Sequence, residues 1–258
     1  MQRRAFLLSA AAGLAPALTA QSSGVPDSIR TLQPMTAGVK PIAPEERAAR
    51  LEKARKLMRA NNLSAIFLEN GSSMFYFTGT RWRRGEVTFG LVIPAEGELA
   101  WIVAGSEEAL ARKAIRMGTD IRTFDLNKPP EKIIAQILSD RKAAGRLGLE
   151  EQVPFHIYDG LRKTAPTLEV VSADPVTIGC RVIKSPAEIA LMQHATDVTI
   201  AAYRAGLATL KEGMTQVDLR RNITAAYSAL GYQGEVSVSF GEYTAFPHGS
   251  IQPQKLKE

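Results

Sequence analysis

The sequence predicts an α/β domain followed by the opening part of an α+β domain, on three observations. Between residues 44 and 175, short apolar runs of strand length alternate with stretches of helical periodicity, the pattern of a mixed or mostly parallel sheet layered with helices. After residue 181 come two amphipathic helices whose starts carry capping signals. One alternating segment, Glu235–Phe240, follows them, so this second part comprises two helices and a strand.

Taken in order, residues 1–20 read as a targeting segment. Arg3-Arg4 precede an alanine-rich apolar run that closes on Thr19-Ala20, the layout of a secretory signal of the twin-arginine type. The run falls short of the ~20 residues that span a bilayer, and Gly13 and Pro16 interrupt it. A periplasmic or secreted protein without a stable membrane anchor is expected. Residues 21–43, with Pro26, Pro34 and Pro41 and no apolar periodicity, read as an exposed linker.

Pro44 with Glu45 and Glu46 opens a helix, because proline lacks the orphan donor and acids suit the positive end of the helix dipole. Leu51, Ala54 and Met58 share one face of it, and Asn61-Asn62 ends it. Strands are predicted at 65–68, 87–93, 99–103, 121–124, 147–149 and 168–171, with helices at 107–117, 131–138 and 154–163. Asp174-Pro175 and Gly179 mark a joint between a domain at 44–175 and one at 181–258. Ser185, Pro186 and Glu188 then write a capping box, and Ile189, Met192, Thr196, Ile200, Tyr203, Leu207 and Leu210 give the stripe expected to be buried. Gly213 stops this helix. Thr215 caps the next, with Asp218 three residues on and Leu219, Ile223, Tyr227 and Leu230 along one face.

An apolar fraction of 45% suffices for two cores. The net charge of +6 is interspersed with acids, as in Glu45-Glu46-Arg47 and Arg50-Leu51-Glu52-Lys53. That is the pattern of solvated helix faces and not of a phosphate-tracking stripe, so no nucleic-acid partner is expected. Cys180 is the only cysteine, which rules out an internal disulfide, and it reads as a small packed residue. His194 has Val198 at its i+4 position and His156 is isolated, so neither reads as a metal ligand.

Three segments carry a resemblance: Arg181-Val182-Ile183-Lys184-Ser185-Pro186-Ala187-Glu188-Ile189, then Glu212-Gly213-Met214-Thr215, then Pro247-His248-Gly249 followed by Lys255-Leu256-Lys257-Glu258. In that order and spacing they resemble the creatinase, prolidase and Xaa-Pro aminopeptidase family, the pita-bread hydrolases. Tyr76-Phe77-Thr78-Gly79 resembles a signature of the same family's N-terminal domain. The resemblance implies a creatinase-type N-terminal domain and the first part of a pita-bread catalytic domain. It also implies a metallopeptidase of the Xaa-Pro dipeptidase or aminopeptidase kind, which hydrolyses the peptide bond before proline. Proline-containing peptides are the implied substrates, and a homodimer is implied for the complete protein. Two divalent ions (Mn, Co or Zn) are implied there too, held by two aspartates, a histidine and two glutamates that would follow Glu258. None of those positions falls in this sequence, which is expected to bind no metal and to be an inactive N-terminal fragment.

His248 is the candidate catalytic side chain, held by Pro247 and Gly249 in a tight exposed turn. By resemblance it hydrogen-bonds near the scissile carbonyl and is not a primary metal ligand. Arg81, Arg83 and Arg84, clustered around Trp82, are candidates for a substrate carboxylate through their forked donors. Two rival readings stand beside the peptidase. One is a creatinase-like C–N hydrolase that works without metal; the other is a non-catalytic binding protein derived from the family.

Overall fold

The computed structural model describes residues 24–83, 85–143 and 145–257; residues 1–20, expected from the sequence to be a signal segment, Arg84 and Glu258 lie outside the described residues. In chain order the elements are α1 (Asp27–Arg30), α2 (Pro44–Ala60), β1 (Ala65–Glu69), α3 (Ser72–Thr78), β2 (Gly90–Pro94), β3 (Ala100–Ala104) and α4 (Glu108–Ala114). They continue with β4 (Asp120–Phe124), α5 (Glu131–Asp140), β5 (Arg146–Leu149), α6 (Phe155–Thr164), β6 (Glu169–Ser172), α7 (Asp174–Arg181), α8 (Pro186–Leu207) and α9 (Gln216–Ala229). Two compact units result, one of residues 40–192 and the other of residues 24–39 together with 193–257.

The first unit is built on one six-stranded sheet of order β4-β3-β2-β1-β5-β6. Its pairings are mixed: β2 runs antiparallel to β1 and β3, while β3–β4, β1–β5 and β5–β6 are parallel. Helices cover both faces, so the central strands are continuous apolar runs. The two-residue period sends Ile66 and Leu68 to one face, with Met58 of α2, Phe77 of α3 and Val176 of α7. Ala65 and Phe67 point to the other, with Ile134 and Ile137 of α5 and Ile157 of α6.

In the first unit all six predicted strands are present, and two helices, α3 and α7, appear where the sequence predicts none. α3 occupies the aromatic run before Gly79, and α7 begins at the supposed joint. Asp174-Pro175 is the first turn of α7, and Gly179 sits within it because a side chain there would crowd Leu57 at 3.1 Å. The second strand starts three residues later than expected. Before it, the Phe89 amide donates to the Glu69 carboxylate at 3.2 Å, so a side chain takes the place of a ladder partner.

In the second unit, α8 and α9 pack with α1 around Ile29, Val198, Ala202, Ile223 and Leu230. Residues 24–39 are therefore not the exposed linker expected of 21–43: Ile29 is 1% exposed, and the Met35 amide donates to the Leu230 carbonyl. The buried face of α8 also differs from the expected stripe. Val198, Ala202, Ala205 and Gly206 face inward, while Ile189, Met192, Ile200 and Leu207 stay exposed. Small residues allow a close approach: a methyl on Gly206 would stand 2.4 Å from Ile223 Cγ1. Glu235–Phe240 is not a strand. Val236, Val238 and Phe240 do alternate inward onto the core, but no described strand lies beside them to form a ladder. Alternation specifies which side chains are covered, not that a neighbour pairs.

Thr215 caps α9 as its sequence predicts, with the full reciprocal pair to Asp218. Residues 252–256 run along this start: Gly213 and Gln216 amides donate to the Leu256 and Gln254 carbonyls, and the Leu256 amide donates to Met214. The Gln254 amide in turn donates to the Gln216 side chain at 2.9 Å.

Candidate functional site

The carboxyl ends of the parallel neighbours β1 and β5 open onto a crevice, the position at which open α/β sheets bind ligands. Asn70 follows β1 and Gln152 follows β5, and both line two adjoining cavities of about 440 and 750 Å³. The segment after α3 forms the opposite wall. Gly79 ends α3 in the left-handed conformation at φ +72°, and a Cβ there would collide with the Arg47 guanidinium at 2.7 Å. The same guanidinium donates to the Phe75 carbonyl at 3.0 Å, which fixes the helix end. Thr80 then buries its hydroxyl, accepting from the Arg116 amide at 3.1 Å.

Beyond this anchor the chain turns outward. Arg81 is exposed and lays its guanidinium 4.2 Å from the centre of the Phe75 ring. Trp82 stacks on Phe89 with the rings 4.2 Å apart and 5° from parallel, and its carbonyl accepts from Asn70 Nδ2 at 3.0 Å. Arg83 is exposed and lines both cavities. Among the described residues neither Arg81 nor Arg83 forms an ion pair, so both forks face solvent. The structure thus brings Arg81 and Arg83 to one crevice. Sequence reading missed Asn70, Glu69, Glu86 and His156, which line it from β1, the loop before β2 and the start of α6. Only the sheet brings them together, so no local motif announces them.

His248 belongs to the other unit. It is exposed in a turn closed by the Gly249 amide donating to the Phe246 carbonyl at 3.0 Å, with Gly249 at φ +74°. His194 is tied structurally, its Nε2 lying 2.8 Å from the Tyr232 hydroxyl. Cys180 is fully buried, and burial pushes its thiol up while Lys53 only partly opposes this, so it is a poor nucleophile.

Among the described residues no three His, Cys, Asp or Glu side chains converge as a metal site requires. The described residues do not supply the ligands of a metal pair. Among them, too, no helix is long and apolar enough to cross a membrane.

Residues 50–183 match the family model of the creatinase/prolidase N-terminal domain. The chain belongs to the creatinase/prolidase family. An uncharacterised peptidase of Schizosaccharomyces pombe is 30% identical over 233 residues, covering 84% of this chain and 50% of that protein. A Xaa-Pro dipeptidase of Pyrococcus furiosus is 21% identical over 212 residues, covering 81% and 57%. The dipeptidase PepE of Mycobacterium ulcerans shares the fold with a TM-score of 0.69 at 20% identity, over 84% of this chain and 59% of that one. The chain spans about half the length of the curated relatives it matches. The mixed α/β sheet described above is the creatinase-type N-terminal domain.

Proposed function

We propose that this chain is the N-terminal part of an exported metallopeptidase of the Xaa-Pro dipeptidase or aminopeptidase kind, which cleaves the peptide bond before proline. One observation carries the reading. The domain match ends at residue 183, whereas the alignment to the fission-yeast peptidase covers 84% of this chain, so the likeness runs past the N-terminal domain. The exposed apolar row Ile200, Leu207 and Leu210 supports it as well, because a catalytic half of the relatives' length would have more chain to lay over α8.

In this reading α8, α9 and the segment to residue 257 open a pita-bread domain. His248 supplies a hydrogen bond near the scissile carbonyl, and Arg81, Arg83 and Arg84 hold a substrate carboxylate. Two divalent ions act in the complete protein, a homodimer, with ligands outside these 258 residues. The chain alone is inactive.

The test is to express the coding sequence at the relatives' full length and assay alanyl-proline hydrolysis before and after chelation. Metal-dependent cleavage that falls about 100-fold or more in His248→Ala supports the proposal. Cleavage of a non-peptide C–N bond without metal would favour the creatinase-like enzyme, and no hydrolysis at all the binding protein.

A further inference from the structure

We propose that Asn70 is a site of spontaneous modification: its side-chain amide converts to aspartate or isoaspartate through the neighbouring Gly71 nitrogen, and the conversion frees the Trp82 segment from the end of β1. Of the five asparagines in the chain, Asn70 alone precedes a glycine. A side chain on the following residue hinders ring closure, and glycine has none. Gly71 lies between β1 and α3, and among the described residues its amide donates to no backbone carbonyl. Asn70 is half-buried and lines both cavities, so water reaches it.

The Gly71 nitrogen attacks Asn70 Cγ. The Gly71 amide proton and Nδ2 leave together as ammonia, and a cyclic succinimide closes. Water then adds at one of the two ring carbonyls and breaks its bond to nitrogen. Opening at Cγ leaves aspartate; opening at the backbone carbonyl leaves isoaspartate, with the main chain routed through the side chain just before α3. Water is the only co-reactant. The consequence follows from Asn70 Nδ2, which donates to the Trp82 carbonyl at 3.0 Å. A carboxylate only accepts, so after conversion two acceptors face each other and the tie is lost. The new charge also stands next to Glu69, on the wall that Glu86 shares. The same bond restrains the amide beforehand, so conversion proceeds from molecules in which it is open.

The test is to age the 258-residue chain at mildly alkaline pH and follow it by peptide mass spectrometry and an isoaspartate assay. Asn70 is expected to convert ahead of Asn61, Asn62, Asn127 and Asn222, with ammonia released in equal amount. Gly71→Ala should slow the reaction: its methyl meets nothing closer than 3.8 Å, and a φ of 177° suits any residue. The acid form, separated by ion exchange, should be cut by trypsin at Arg81 or Arg83 about fivefold faster than unaged protein, the worth of about one hydrogen bond. Its Trp82 emission should shift to the red, since the other tryptophan, Trp101, is fully buried and stays so. Asn70→Asp should reproduce both readings, and if that variant does not fold, the aged protein still supplies them. The proposal is overturned if Asn70 is intact once Asn127 has converted, if Gly71→Ala reacts at an equal rate, or if the acid form keeps the tryptic rate of unaged protein. None of these readings uses peptidase activity.

Discussion

The Arg50 guanidinium lies 4.1 Å from the centre of the Tyr76 ring while its Nη1 donates to the Tyr76 carbonyl at 2.9 Å. The same side chain, 7% exposed, pairs with Glu46 at 2.6 Å and Glu188 at 3.3 Å. One buried cation therefore ties α2 to the end of α3 and to the first turn of α8. Its removal strands two partly buried carboxylates. Arg50→Ala is expected to cost about 3 kcal/mol or more, read from urea denaturation, and Arg50→Lys to recover only part because an ammonium lacks the planar fork. A loss below about 1 kcal/mol would mean that water already solvates the cluster.

Acid should weaken the same cluster. Burial by itself would raise the Glu46 carboxyl, but the Ser185 hydroxyl at 2.8 Å and the Arg50 and Arg47 charges outweigh it and hold the group below its ordinary 4.5. A carboxyl depressed in the folded state binds fewer protons there than in the unfolded chain. Its stabilisation is thus complete above about pH 4.5 and is lost as the pH falls through the folded value. Ser185→Ala should flatten this loss and also cost about 1 kcal/mol at neutral pH as the cap of α8 disappears. Urea midpoints measured from pH 7 downward distinguish the two effects.

Gly206→Ala sets two magnitudes against each other. Alanine in a helix interior gains up to about 1 kcal/mol over glycine. Its methyl would lie 3.2 Å from the Ile223 backbone Cα as well as against that side chain, and overpacking of this kind costs about 1–3 kcal/mol. A net loss of stability is expected in thermal melts, with Ile223→Val partly restoring the double variant. Stabilisation by the single change would show that α8 and α9 separate easily.

Export gives a further test, in the cell. Because Arg3-Arg4 precede the apolar run, replacing both by lysine should leave the protein in the cytoplasm. Fractionation that finds the double variant in the periplasm at undiminished yield would dismiss the twin-arginine reading.

The central strands β1, β2 and β3 were legible because each is an apolar run buried on both faces, and such runs have few other uses; the edge strands β4 and β6 are shorter apolar stretches between polar residues. Helices α3 and α7 were not, for a shared reason. α3 is seven residues long and flanked by Gly71 and Gly79, and α7 holds Pro175 and Gly179; such residues mark turns unless tertiary packing overrides them, as Leu57 against Gly179 does. On α8 the helical period was legible and the buried face was not. Periodicity rewards large apolar residues, whereas the packed face uses Ala202, Ala205 and Gly206 to bring α9 close. The candidate site divides in the same way. Arg81 and Arg83 flank an aromatic in one local run, which a sequence displays; Glu69 and His156 join that run through strand order, which it does not.

The second unit assembles from stretches far apart in the chain. Ser28 donates to the Ala205 carbonyl across 177 positions, and Tyr232 to Met35 across 197. At roughly 5–20 residues per second, a ribosome needs on the order of 10–35 s to make the intervening chain. Throughout that interval Ile29 has no core to enter, while the 40–192 sheet completes itself in between. The N-terminal segment thus waits, apolar and open to capture by a chaperone, until α8 and α9 emerge. The time taken to translate the intervening chain, and not any single contact, therefore sets how long Ile29 stays uncovered.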